Sequence, residues 1–468
     1  MSELSESIES QNLPPLLIPE GVNYNCQGCG RCCTGWSVGL TEADYARIKD
    51  VDWGSVNPDL AGKDLFIHKE QEYRSGTSLY PHFTRPRPDG SCSFLVDNLC
   101  TIHSLMGEDA KPGTCQLFPY TFVETPSATY TGVSLSSMAS VRNLGRPLTE
   151  QREALEGYFE RARSYVTNKA LEGGSGSVNL LVEKPYSTVL LSGQTSVSWD
   201  EFLHLDKKML EIIKAAEQSN EDIIQTLLKV EEVILLSIAM AKSGVSLSEI
   251  VSYQPSGTMG GAVSGSAHEG IMAMTYYLYL VYPSIRASYT DMWQLNNKER
   301  FGPGKIMRLF NQYGQYIGSG FSTIFLKSAT VKNYGKVNLR KAIDYKVKPL
   351  PEITQEFFRR WLYLKIFSKV YFGPSFCEYS LLAGFNNLVM CFILSMIFAK
   401  GEAMLRNEDE VKLADLYEGV FRVDKESLMM NQLLPQVTVA LAVAYSVPKI
   451  GRGILRTLAK GQNAGLAQ

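Results

Sequence analysis

The 468-residue chain lacks an excess of charge of either sign: 46 Lys and Arg stand against 48 Asp and Glu, a net charge of −2. Such a balance offers no global field to draw in nucleic acid or an anionic membrane. Basic residues do gather at Lys332, Lys336, Arg340, Lys341, Lys346 and Lys348, but aromatics are not interleaved among them as stacking platforms. A solvated face is expected there, and no nucleic-acid partner. A leader signature is also missing. The opening MSELSESIESQNLPPLLIPEG is polar and acidic, with neither the basic n-region nor the apolar h-region of a secretory signal. The expected compartment is a reducing cytoplasm, where clustered cysteines bind metal or do redox chemistry more often than they form disulfides. Histidine is scarce, five in all, and no internal repeat is visible.

What is present fits a globular protein: 45% of residues are hydrophobic and 20% charged, a composition that argues against disorder. The length implies two or three domains. One uncharged run, Tyr379 to Ala399, covers 21 residues between Glu378 and Lys400, long enough to cross a bilayer. Asn386 and Asn387 interrupt it, and the flanking FRRWLYLKIFSKVYF and VTVALAVAYSV are also apolar. A buried helix in an all-α domain explains the three segments together, so membrane contact is not expected.

Residues 1–20 read as a loose tail, with Pro14, Pro15 and Pro19 opposing regular structure. Residues 21–147 are rich in Cys, Gly and Pro and predict a small irregular α+β domain. Within it, Thr41 and Asp44 form a capping pair opening a short helix, and 129–136 reads as a strand. Residues 148–468 predict a mainly helical domain. Leu155, Tyr158, Phe159 and Ala162 share one helical face. Residues 172–197 read as a turn and two short strands. A capping box at Ser198–Glu201 opens the next helix, and Ser219–Asp222 opens another that ends near Gly244. A glycine-rich interruption, 255–270, is followed by helical patterns at about 271–283, 290–315, 352–371, 379–400 and 407–420, and by a basic amphipathic end from Pro448.

Cysteine supplies the chemistry. Seven of the nine, Cys26, Cys29, Cys32, Cys33, Cys92, Cys100 and Cys115, fall in one segment of 90 residues, far from uniform scatter. Two-residue spacers let Cys26, Cys29 and Cys32 turn toward one point, while Gly28 and Gly30 let backbone N–H groups approach the sulfurs. Zinc sites normally use two separated C-x2-C pairs; a continuous C-x2-C-x2-C run is closer to iron–sulfur ligation, although ferredoxins place their fourth cysteine farther on. Neighbouring side chains tend to diverge, so Cys33 either faces a different site from Cys32 or belongs to a packing shell. Cys92, Cys100 and Cys115 either complete the first site or build a second. An odd count and adjacent cysteines argue against a disulfide framework. Cys377 and Cys391 lie in apolar helical sequence and read as core residues. His103, two residues beyond Cys100, has a spacing compatible with ligation, though packing beside the site is the plainer reading; His82 is a weaker candidate. His68, His204 and His268 show no partner pattern and default to structural or surface roles.

The ordered set Cys26–Cys33, Cys92, Phe94, Leu95, Cys100, Ile102, His103, Pro112, Cys115, Phe118 and Pro119 resembles the YkgJ-like CxxCxxCC cysteine-cluster family of zinc- or iron-chelating proteins, over about residues 24–120. The chain's length and its helical segments, notably NEDIIQTLLKVEEVILL and EYSLLAGFNNLVMCFIL, also resemble the flagellin lysine-N-methylase branch. That resemblance implies an iron–sulfur cluster of the 4Fe–4S type, S-adenosylmethionine as cofactor and a protein substrate, with Cys26, Cys29, Cys32 and Cys33 as cluster ligands. The branch tends to carry a further Ser-Cys-Pro, where this chain has Ser137 and Met138. The residues themselves give no independent S-adenosylmethionine site: GTMGGAVSGSAHEG lacks the preceding strand and βαβ context of a dinucleotide loop. The alternative to an enzyme is a zinc- or iron-binding or redox-responsive protein whose helical domain contacts a partner. A cysteine cluster that only staples the fold is a third reading.

Overall fold

The computed structural model describes residues 15–34, 37–75, 78, 80–171, 181–182, 187–257, 328–331, 335–338, 341–342, 345–427 and 445. The tail 1–14, the glycine-rich stretch beyond 257, the expected helices at 271–283 and 290–315 and the basic end from Pro448 lie outside the described residues, as does most of the basic stretch from Lys332 to Lys348. The architecture is mainly α with a small α+β cysteine-rich segment, as the composition shift implies.

In chain order that segment runs β1 (Leu16–Leu17), β2 (Gly39–Leu40), α1 (Glu42–Ile48), α2 (Trp53–Val56), β3 (Phe66–His68), α3 (Glu70–Arg74), β4 (His82–Thr84), β5 (Leu95–Val96), β6 (Leu99–Cys100), α4 (Thr101–Met106), α5 (Gly113–Leu117), β7 (Tyr120–Glu124), β8 (Thr129–Val133) and α6 (Met138–Val141). The Thr41–Asp44 capping box forms in full: the Thr41 hydroxyl accepts from Asp44 N–H, and the Asp44 carboxylate accepts from Thr41 N–H. β2, β4 and β3 make an antiparallel sheet in that order. β5 and β6 form a hairpin through Asp97 (φ 49°) and Asn98 (φ 64°). Two consecutive positive φ angles are those of the two-residue turn that follows strand twist, and Asp and Asn adopt them more readily than most residues. These elements enclose a small core of Val38, Leu40, Ile48, Trp53, Phe66, Phe94, Ile102 and neighbours, against which Cys92, Cys100 and Cys115 pack.

The larger core starts from the other sheet, ordered β1-β8-β7-β9, where β9 is Leu181–Val182. Onto it pack α7 (Arg152–Leu171), the hairpin β10 (Thr188–Ser192) and β11 (Thr195–Ser198), α8 (Trp199–Gln218), α9 (Ile223–Lys242), α10 (Glu352–Phe367), α11 (Leu381–Leu405) and α12 (Leu413–Ser427). A further hairpin pairs β12 (Ser328–Val331) with β13 (Gly335–Asn338). Ser198 caps α8 by accepting from Glu201 N–H. The return half of that expected box is absent, because the Glu201 carboxylate instead accepts from Ser246 Oγ and Leu247 N–H. α11 contains the long uncharged run, and its most apolar 18-residue window is wholly buried inside the protein. Asn386 donates there through Nδ2 to Tyr445 O at 2.6 Å, while its Oδ1 has no hydrogen-bond partner among the described residues. Cys391 is buried on α11, but Cys377 is not helical: it sits in a turn with φ 54°.

Helices and sheet are joined by a buried ion pair. Lys369, just beyond α10, points its Nζ at Asp206 of α8 at 2.9 Å, donates to Ile366 O and Phe367 O, and lies 4.2 Å from the centre of the Tyr130 ring on β8. Burial pushes the lysine down and the aspartate up, while each partner opposes the shift of the other. Removing one member strands the other charge in the core. Lys369→Met is expected to destabilise the protein by about 3–5 kcal/mol, read by denaturant unfolding; a loss under about 1 kcal/mol would show that Asp206 reaches solvent or another cation.

Candidate metal centre

The first four cysteines lie on a loop that rests on the β5–β6 hairpin. Gly28 (φ 61°) and Gly30 (φ 64°) take left-handed conformations. A Cβ on Gly28 would meet Leu99 Cδ2 at 3.2 Å, and one on Gly30 would meet Asn98 Oδ1 at 3.0 Å. A side chain at either position would therefore be strained and would push the loop off the turn. From Gly30 the chain enters a 3-10 turn, Arg31–Cys33. Thr34 then bridges Ser91, and Cys92 N–H donates to Cys33 O at 2.9 Å, which sets Cys33 beside Cys92.

The remaining thiols are placed by the same small core. Cys100 pairs with Leu95 across the hairpin. Cys115 rides on α5, which Asp44 ties to α1 by accepting from Gly113 N–H at 3.1 Å. Cys32 and Cys33 do not diverge: their sulfurs are 3.9 Å apart, close to the roughly 3.8 Å between two thiolates each about 2.3 Å from one tetrahedral ion. These two residues therefore fit a common centre.

Electrostatics links five of the seven. Cys33 is pushed up by its hydrogen bond with Cys32, by burial, and by the charges of Cys32, Cys115 and Cys92. Burial raises Cys92 to about 11, with Cys100 adding to it. Burial also raises Cys115 well above its ordinary value, with Cys92, Cys100 and Cys32 adding and Lys111 opposing. Cys32 alone is held low, at about 7, first by its hydrogen bond with Cys33 and then, against burial, by Lys425 and Lys111. Packed thiols that oppose one another's ionisation favour a cation in their midst, because the cation replaces their protons and cancels the repulsion.

Cys26 and Cys29 are exposed on the loop. Cys26 and Cys32 both act on Tyr24, whose phenol is raised chiefly by burial and which hydrogen-bonds Ser137. All nine cysteines are free thiols. His103 is exposed on α4, and His204 is half-buried on α8.

Two contributors were not legible as site residues. Lys425 of α12 donates to Thr34 O and reaches Arg31 O at 3.5 Å. Arg31, inside the motif, makes a bidentate pair with Glu418 of α12 at 2.9 and 2.6 Å. Nothing local marks Lys425 or Glu418, which lie nearly 400 residues downstream of the loop. A third departure concerns histidine: His68 and His82, read as lacking a pattern or as a weak candidate, face each other across β3 and β4, with Glu70 beside them.

Residues 25–135 match the family model for a cysteine-cluster domain, CxxCxxCC, described as a "putative zinc- or iron-chelating domain". This segment is therefore similar to the cysteine-cluster domains of that family, which supports metal binding there. A relative in Methanocaldococcus jannaschii, "Uncharacterized protein MJ0939", is 28% identical over 103 residues, which are 22% of this chain and 30% of that protein. The chain thus spans under a third of that relative's length. No solved structure matches the chain.

The loop's dependence on glycine is measurable. Gly30→Ala is expected to cost about 1–2 kcal/mol for a left-handed alanine, and to lower both the thermal midpoint and the metal retained on purification. If both stay at the wild-type level, the loop does not rely on its seat against Asn98.

Proposed function

We propose that the cysteine-rich domain holds an iron–sulfur cluster, with Cys32, Cys33, Cys92, Cys100 and Cys115 as the inner thiols and Cys26 and Cys29 supplied by the loop. The observation that carries this reading is the crowding of five mutually interacting thiols behind a continuous C-x2-C-x2-C loop, a run closer to iron–sulfur ligation than to the two separated C-x2-C pairs of zinc. The residues fit such a group: free thiols, two of them with sulfurs 3.9 Å apart, on a loop that left-handed glycines seat against the hairpin. A bound cluster would supply one-electron chemistry. The chain's own contribution is to exclude water with Phe94 and Leu95, to place Lys111 and Lys425 against thiolate charge, and to fix the loop through Arg31 and Glu418.

The resemblance to lysine-N-methylases adds a finer reading, methyl transfer from S-adenosylmethionine to lysines of a partner protein. What favours it is the seating of α12 on the cysteine loop, since a change of charge at the thiols acts directly on a helix of the large domain through Lys425. Such transfer needs a neutral lysine amine and therefore a base to take its proton.

Anaerobic purification followed by iron, zinc and acid-labile sulfide analysis tests the first reading. A brown protein with iron and sulfide in similar amounts is expected, lost in Cys32→Ser and kept in Cys377→Ser. A colourless protein that holds zinc without sulfide refutes the cluster but leaves chelation standing; one that holds neither metal ends both. Incubating the intact holoprotein with labelled S-adenosylmethionine and lysate tests methyl transfer, and no labelled protein band would refute it.

A further inference from the structure

Beside the small core, β3 and β4 pair so that His68 stands directly opposite His82. The two Nδ1 atoms are 3.1 Å apart, and Glu70 Oε1 lies 3.7 Å from one and 3.6 Å from the other. A point equidistant from three atoms so spaced is about 2.0 Å from each, within the usual zinc–imidazole and zinc–carboxylate bond lengths of about 2.0–2.2 Å.

The imidazoles are also oriented for ligation. His82 is buried, and its Nε2 faces the Glu42 carboxylate at 3.2 Å. A carboxylate only accepts, so in neutral His82 the proton sits on Nε2 and the lone pair is on Nδ1, aimed at His68 and Glu70. A carboxylate behind a histidine in this way is the usual outer support of a metal-binding imidazole. Tyr45 holds the rings in place, packed against His82 at 4.1 Å between ring centres and edge-on to His68 at 5.4 Å. His68 and Glu70 remain about half exposed, at 48% and 43% of their side chains, which gives an ion an entry path.

We propose that His68, Glu70 and His82 form a second, zinc-binding site, oriented by Glu42 and separate from the cysteine centre. Two histidines and one carboxylate leave a fourth position for water, the pattern of sites that act on a substrate and not of those that only staple a fold. The inference does not depend on what the cysteines hold.

The test uses the full-length holoprotein and its His68→Ala, Glu70→Gln and Glu42→Gln variants. The first two change half-exposed side chains, and circular dichroism is to check that they fold. After dialysis against buffered zinc, His68→Ala and Glu70→Gln are expected to hold one equivalent less than wild type, with the metal content of the cysteine centre unchanged. Glu42→Gln is expected to raise the zinc dissociation constant by about 10- to 100-fold. Added cobalt is expected to lose a thiolate-free ligand-field component in His68→Ala and Glu70→Gln, while the thiolate charge transfer of the cysteine centre stays unchanged. Equal zinc in wild type, His68→Ala and Glu70→Gln would overturn the proposal and leave a hydrogen-bonded imidazole pair; so would cobalt spectra that are the same in all three.

Discussion

Contact between the Gly28–Gly30 backbone and the Asp97–Asn98 turn holds the cysteine domain together. Only while the loop lies flat on that hairpin does the 3-10 turn at Arg31–Cys33 come out beside Ser91 and Cys92. The hairpin in turn presents Cys100 opposite Leu95, and Asp44 draws in α5 with Cys115. Thiols spread over 90 residues are thus gathered by left-handed glycines, a two-residue turn and one buried carboxylate.

That arrangement builds up negative charge wherever the thiols ionise, and the protein answers it from two directions. Lys111 comes from the same segment, between α4 and α5. Lys425 comes from α12, and the adjacent Arg31–Glu418 pair pins the loop to the same helix. Because the loop is bonded to α12 at these points, a change in thiol charge would act on a helix that packs against α11. The large domain is therefore mechanically part of the site.

Local chemistry made much of this legible in the sequence. The Thr41–Asp44 box, the strand at Thr129–Val133, the face of α7 with Leu155, Phe159 and Ala162, and the buried helix Leu381–Leu405 all follow from patterns spanning a few residues. Seven crowded cysteines pointed to a metal-chelating domain for the same reason, and residues 25–135 match the model of one. What stayed hidden depends on distant pairing. His68 and His82 are 14 residues apart and become neighbours only through the β3–β4 register, and no spacing rule links Lys425 to Thr34. The expected divergence of Cys32 and Cys33 also failed for a backbone reason, since the tight 3-10 turn that follows Gly30 brings the two sulfurs together.

The two candidate centres lie on one small core. Tyr45, which packs the histidine pair, is 5.2 Å from Phe66, and Phe66 is 5.8 Å from Phe94, the neighbour of Cys92. That core has ten buried hydrophobic side chains, and a core of this size offsets little more than the entropy of ordering the chain around it. Short strands of two or three residues add few ladder bonds. Metal ligation supplies the missing free energy in small domains of this kind, because the ion binds the folded ligand set and not the open chain. Ligation at either face would therefore tighten the aromatic contacts shared with the other, so that binding at the two centres favours each other through the stability of the core alone.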